Sequence, residues 1–177
     1  MLKSNRDRYG AVAVSIHWLT AILILVLLGS GFQAANAVDA AVKTPFLRVH
    51  ISVAIVVLVL TVFRIVWWWL FDLKPLPVEG SPAWQERIAS WVHLGFYIVV
   101  LGMAASGIGM MILSGAAPAV FGPPGAALPN FTDYPPRVPH GLGGRLLARL
   151  LAFHAGAALY HHFIRRDGLL RRMWYGR

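Results

Sequence analysis

At 177 residues the chain has the length of one domain, and with 58% hydrophobic and only 13% charged residues it lacks the polar surface of a soluble one. A net charge of +9 raises nucleic acid or anionic lipid as partners, but the bases flank long apolar runs, which excludes nucleic acid and favours membrane lipid. Cysteine is absent, so disulfides, thiolate metal sites and covalently tethered c-type haem are excluded.

The basic head Lys3, Arg6 and Arg8 precedes a run too long for a signal peptide and reads as the flank of an uncleaved first span. That span, about 11–34, contains no ionisable group except His17. The second, about 46–71, has His50 near its start and Arg64 near its end, followed by Trp67–Trp69. The third, about 84–113, opens on Glu86 and Arg87; the fourth, about 140–163, closes on Arg165 and Arg166. Each exceeds the roughly 20 residues that cross a bilayer. Polar or turn-rich segments join them at 36–44, 74–82 and 114–139, the last too rich in Pro and Gly for a long helix. The expectation is an all-α integral membrane four-helix bundle, a single domain over 1–177.

Alternating spans place Lys3, Arg6, Arg8, Lys74, Arg87, Arg165, Arg166, Arg171, Arg172 and Arg177 on one side. Lys43, Arg48 and Arg137 lie on the other, with Arg145 and Arg149 a little inside the fourth span. The excess of bases puts both termini in the cytoplasm.

Seven histidines in so apolar a chain call for a function, because ionisable groups inside a membrane are costly. Bis-histidine haem needs two imidazoles from different helices at one depth. His17 lies nine residues past Arg8, roughly 13 Å in, and His154 lies eleven before Arg165, roughly 16 Å in from the same side. His50 and His140 both begin their helices on the opposite side. His140 and His154 are 14 residues apart, which returns within ~40° of one face and advances ~21 Å. The pairs are therefore His17–His154 and His50–His140, holding two haem b stacked across the membrane. His161 is a shallower rival to His154, His162 points aside, and His93 is interfacial or a partner for a propionate or quinone.

Arg64 follows His50 by 14 residues on the same face, near the level of the inner pair, and no acid within the spans can neutralise it. A haem propionate or snorkelling to the headgroups are the two readings. Gly31, Gly102, Gly107 and Gly109 read as ordinary helix-packing positions.

The segments Ser15-Ile16-His17-Trp18, His93-Leu94-Gly95 and His154-Ala155-Gly156-Ala157-Ala158-Leu159-Tyr160-His161-His162-Phe163, with Asp167-Gly168-Leu169-Leu170-Arg171-Arg172-Met173, resemble the bacterial cytochrome b561 family. The chain is similar also to cytochrome b subunits of membrane hydrogenases and formate dehydrogenases. The resemblance implies a multi-pass protein of the bacterial inner membrane with the same two ligand pairs. It implies exchange of electrons with quinone, ubiquinone above all, and superoxide:ubiquinone oxidoreductase activity is attributed to the family. The leading reading is electron transfer between a periplasmic donor, superoxide among the candidates, and membrane quinone. The alternative is a cytochrome b anchor or relay subunit of a dehydrogenase or hydrogenase. A metal permease would want carboxylates beside the histidines, and the spans have none. On the donor side Lys43, Arg48 and Arg137 against Asp39 and Asp133 leave a positive rim suited to an anion.

Overall fold

The computed structural model describes residues 1–78, 80–123 and 125–175; Arg177, one of the bases counted above, lies outside them. Its helices are α1 (Ala11–Asn36), α2 (Ala40–Leu70), α3 (Ala83–Ser114), the short α4 (Ala117–Phe121) and α5 (Arg137–Tyr160). A π turn, His161–Arg165, continues α5, and single 3-10 turns occupy Phe131–Asp133 and Leu170–Met173. No strand occurs among the described residues.

Helices α1, α2 and α3 are long and apolar enough to cross a membrane. Helix α5 has the length, 24 residues, but Arg137, Arg145 and Arg149 and several glycines dilute its apolar character. Two helix starts differ from expectation. Helix α2 begins at Ala40, not Phe46, because the Asp39 carboxylate accepts the Ala41 N–H at 2.8 Å and caps the helix early. Pro45 sits inside that helix, where its missing N–H costs one carbonyl its donor. The 36–44 segment is thus mostly helical. Helix α5 likewise begins three residues early, with Pro139 in its first turn, where no backbone donor is needed.

Helix α1 packs along α2, α3 along α5, and α2 touches α3. One residue from each long helix, Ile24, Val57, Val100 and Leu147, meets in the core, with Leu27, Val53, Phe96 and Leu151 around it. Many other large apolar side chains point outward, among them Ile22, Leu25, Ile98 and Ile112, the last 72% exposed. A surface so apolar suits lipid and not water.

At one end the N-terminal tail, the α2–α3 link and the C-terminal tail are knitted together. The buried Asp72 carboxylate accepts from Ser4 N–H (2.9 Å), Ser4 Oγ (2.8 Å), Trp67 Nε1 (3.0 Å) and Leu73 N–H (3.0 Å). Arg172 donates to the carbonyls of Asp7 (2.6 Å) and Leu76 (2.8 Å), and Trp18 Nε1 donates to Met173 O (2.7 Å). At the opposite end the Arg48 guanidinium donates to the carbonyls of Val120 and Gly122, fastening the α4 segment to α2.

Burial alone would raise the Asp72 carboxyl, but the hydrogen bonds from Ser4, Trp67 and Leu73 outweigh it and hold the group below its usual 3.8. A depressed folded pKa means the anion's contribution is complete above the ordinary carboxylate range and is lost as pH falls through the depressed value. We expect D72A to lower unfolding stability by about 1–3 kcal/mol, because the Ser4 and Trp67 donors lose their acceptor. Thermal unfolding in detergent should show a wild-type advantage that is constant from neutral pH to about pH 5 and shrinks below about pH 4.

Candidate haem centres

The structure brings together both histidine pairs expected from depth. His17 on α1 faces His154 on α5 with ring centres 6.2 Å apart and planes at 58°. His50 on α2 faces His140 on α5 at 6.0 Å and 72°. Two imidazoles ligating one iron from opposite sides, each at a nitrogen–metal distance of about 2 Å, set their ring centres about 6 Å apart. Both pairs have that separation, and all four rings are half-buried.

The outer pair shows which nitrogen is free. His50 Nδ1 lies 3.0 Å from the carbonyl of Leu27, which can only accept, so Nδ1 carries the hydrogen. Ser106 Oγ donates to Met103 O at 3.0 Å and therefore accepts from His140 Nδ1, also at 3.0 Å. In both rings Nε2 is left unprotonated, the form a metal binds, and the second bond holds the ring's orientation.

Two glycines abut these rings. A Cβ at Gly31 would lie 2.9 Å from His50 Cε1, and one at Gly107 would lie 3.3 Å from His140 Cε1. Sequence favours ordinary helix packing over close approach of a macrocycle at both; in the structure each clears an imidazole ring on a neighbouring helix. Gly109 meets Pro136, and Gly102 meets nothing within 4 Å.

The inner pair has a third member. His93 on α3 stands against His154 with ring centres 5.5 Å apart, and Phe96 meets the same ring edge-on at 5.4 Å. Sequence leaves His93 either interfacial or a partner for a propionate or quinone; the packing of α3 on α5, invisible in sequence, sets its ring against His154. Arg64 lies within electrostatic reach of His17, His93 and His154, and no carboxylate meets it among the described residues. His161 has its Nδ1 paired with the Asp167 carboxylate, and His162 meets Phe163 edge-on. No group of three or more His, Asp or Glu among the described residues is disposed to hold a bare metal ion.

The sequence pattern of the family described as prokaryotic cytochrome b561 matches residues 8–176. The chain is 28% identical to cytochrome b561 homolog 1 of Escherichia coli strain K12, over 94% of this chain and 97% of that protein. It is 26% identical to the probable superoxide oxidase CybB of Yersinia pestis, over 94% and 95%. It is 27% identical to cytochrome b561 homolog 2 of the same E. coli strain, over 94% and 91%.

The glycine clearance makes a test of the outer centre. G31A must displace the His50 ring and stretch its bond to Leu27, whereas G102A has open space for its methyl. We expect G31A to weaken pigment binding at the outer pair alone, seen as loss of one component of the reduced-minus-oxidised visible spectrum, and G102A to match wild type.

Proposed function

This chain belongs to the prokaryotic cytochrome b561 family, membrane electron-transfer proteins with b-type haem, and on that premise we propose that it carries two haem b across one bilayer. His17 and His154 ligate the inner haem, and His50 and His140 the outer. The observation that supports this most is the pair of facing imidazoles at ~6 Å on each of two levels, with α5 contributing to both.

In this reading α1, α2, α3 and α5 all span the bacterial inner membrane as one unit over 1–177, with both termini cytoplasmic. Three observations support it. The tails and the α2–α3 link gather at one end and carry Lys3, Arg6, Arg8, Lys74, Arg165, Arg166, Arg171 and Arg172. Helix α5 packs along α3 and supplies Leu147 to the shared core. Arg145 and Arg149 are exposed, free to stretch along the helix toward the outer headgroups.

When bound, each haem supplies an iron that takes up and releases one electron. The chain's own residues provide the rest. Leu27 O and Ser106 Oγ accept the Nδ1 hydrogens of His50 and His140, which fixes both rings and strengthens Nε2 as a ligand. Gly31 and Gly107 leave room for the rings to turn inward. Arg64 is placed to neutralise a propionate carboxylate of the inner group, an anion the spans do not otherwise provide. The core of Ile24, Val57, Val100 and Leu147 keeps water out of the space between the levels.

The electron acceptor in this proposal is ubiquinone and the donor is superoxide arriving from the periplasm. Similarity to a probable superoxide oxidase supports the donor, and the positive rim around Lys43, Arg48 and Arg137 supports an anion. Arg48 is committed to the carbonyls of Val120 and Gly122, so its charge contributes to the field but its replacement would also release α4. Lys43 and Arg137 are the cleaner probes.

Extraction with acid-acetone should yield two haem b per chain. H154A should lose the inner haem and keep the outer one, while H161A, whose native ring is bound to Asp167, should keep both. A single haem in wild-type protein supplied with excess haem refutes the two-centre reading.

Stopped-flow reduction by superoxide should slow by about an order of magnitude between low salt and physiological ionic strength. A K43Q R137Q variant should be slower at low salt and nearly indifferent to salt. A wild-type rate that salt leaves unchanged counts against an electrostatically guided anion as donor.

A further inference from the structure

Beyond the haem centres, the end of α5 forms a small basic cavity. Helix α5 gives way to a π turn over His161–Arg165, which widens the coil by one residue per turn. Arg166 then adopts a left-handed conformation, φ 53°, the one positive-φ residue other than glycine among the described residues. This reversal costs conformational energy for a side chain with a Cβ and is uncommon outside functional or tightly constrained positions. Gly168, at φ 76°, completes the turn, and the 3-10 turn Leu170–Met173 brings Arg171 back to face the helix end.

The result is a cavity of about 270 Å³ lined by His162, Phe163, Arg166, Gly168 and Arg171. Two arginines and a histidine are among its lining residues, and no Asp or Glu is. Arg166 uses Nε to donate to Phe163 O at 3.2 Å, which leaves its terminal nitrogens available. The nearest acid in sequence, Asp167, is taken by His161 Nδ1 and by the Leu169 N–H at 3.1 Å. Neither Arg166 nor Arg171 meets a carboxylate among the described residues. Phe163, in the lining, and Ile164, next to it in the chain, are exposed, 62% and 68%, so apolar surface adjoins the two arginines.

We propose that this cavity binds the phosphodiester headgroup of an anionic phospholipid, with Arg166 and Arg171 on the phosphate and the acyl chains against Phe163 and Ile164. The proposal rests on the reading that α5 spans the membrane and ends at its cytoplasmic interface. Planar guanidinium groups suit phosphate oxygens, and paired apolar and cationic surfaces at helix ends recognise lipid headgroups. Its volume is below the roughly 300–1,000 Å³ of pockets that enclose whole small molecules, so a headgroup fits where a free metabolite would be left half outside.

Haem-loaded protein in mild detergent is given equal amounts of phosphatidylglycerol and phosphatidylcholine, and retained lipid is counted by native mass spectrometry. Wild type should retain phosphatidylglycerol preferentially, and millimolar inorganic phosphate should not displace it. R166Q R171Q should bind it about 25-fold more weakly, from about fivefold per charge removed. R165Q, one residue outside the lining, should behave as wild type. Equal retention of the two lipids by wild type overturns the proposal without recourse to any variant. So does full retention by R166Q R171Q, and displacement by inorganic phosphate assigns the cavity to a free anion instead. The visible spectrum reports the haem centres separately. Labelling of L169C by an impermeant maleimide reports which side of the membrane holds this turn, so failure of the span reading is distinguished from failure of lipid binding.

Discussion

An imidazole inside a bilayer must have a partner for each ring nitrogen, and that requirement organises this molecule. Water is not available to satisfy an orphan nitrogen at that depth, and leaving one bare costs several times the worth of an ordinary hydrogen bond. For His50 and His140 one nitrogen is settled within the protein, by Leu27 O and by Ser106 Oγ. The other is left without a protein partner, and the two ring centres stand 6.0 Å apart, the separation of two imidazoles that share one iron. Each helix of the outer level therefore has a role set by this pair: α1 gives the carbonyl and the clearance at Gly31, α3 gives Ser106 and the clearance at Gly107, and α2 and α5 give the rings.

The same requirement explains where the apolar core lies. Leu147 sits seven residues from both His140 and His154, and Val57 seven residues after His50 and seven before Arg64. Seven residues of helix is two turns, about 10 Å, and returns close to the same face. On α2 and α5 a face that carries a polar group every 14 residues thus has an apolar one midway; on α1 and α3, Ile24 and Val100 lie seven residues past His17 and His93 and seven before Gly31 and Gly107, and these four residues meet in the core. Polar levels and dry spacer arise from one periodicity.

That periodicity is why much of the site was legible in the sequence. Depth and face along a straight helix are arithmetic, so His17 with His154 follows from counting residues between charged ends; His50 with His140 follows from both lying toward the starts of their apolar runs, although α2 itself begins ten residues before His50. What counting misses depends on contacts between helices. Ser106 is 34 residues from His140, and nothing in its surroundings singles it out from other serines. Gly31 looks like any small residue until the ring beside it is known. His93 had the right residue type, but only the packing of α3 on α5 shows that its ring stands against His154. Local chemistry is also easily misweighed: the polar segment 36–44 suggests a loop, although Asp39 is a strong N-cap and makes most of it helix.

Helix α5 is the least apolar of the long helices and carries half of the proposed ligands, and the two facts are connected. Every histidine, glycine or arginine placed on it for function replaces a Leu, Ile or Val that would have favoured transfer into lipid, and a charged group at a span centre opposes transfer by about 2.5–3.5 kcal/mol. What compensates is contact rather than composition. Helix α5 lies along α3, Leu147 is buried among residues of α1, α2 and α3, and in the proposed four-span arrangement the exposed Arg145 and Arg149 would stretch their long stems to the membrane surface. A hydropathy threshold judges a helix as though it entered the bilayer alone. In the proposed arrangement α5 is the helix for which that assumption is least fitting, because its polar residues would be made tolerable by neighbours already in place.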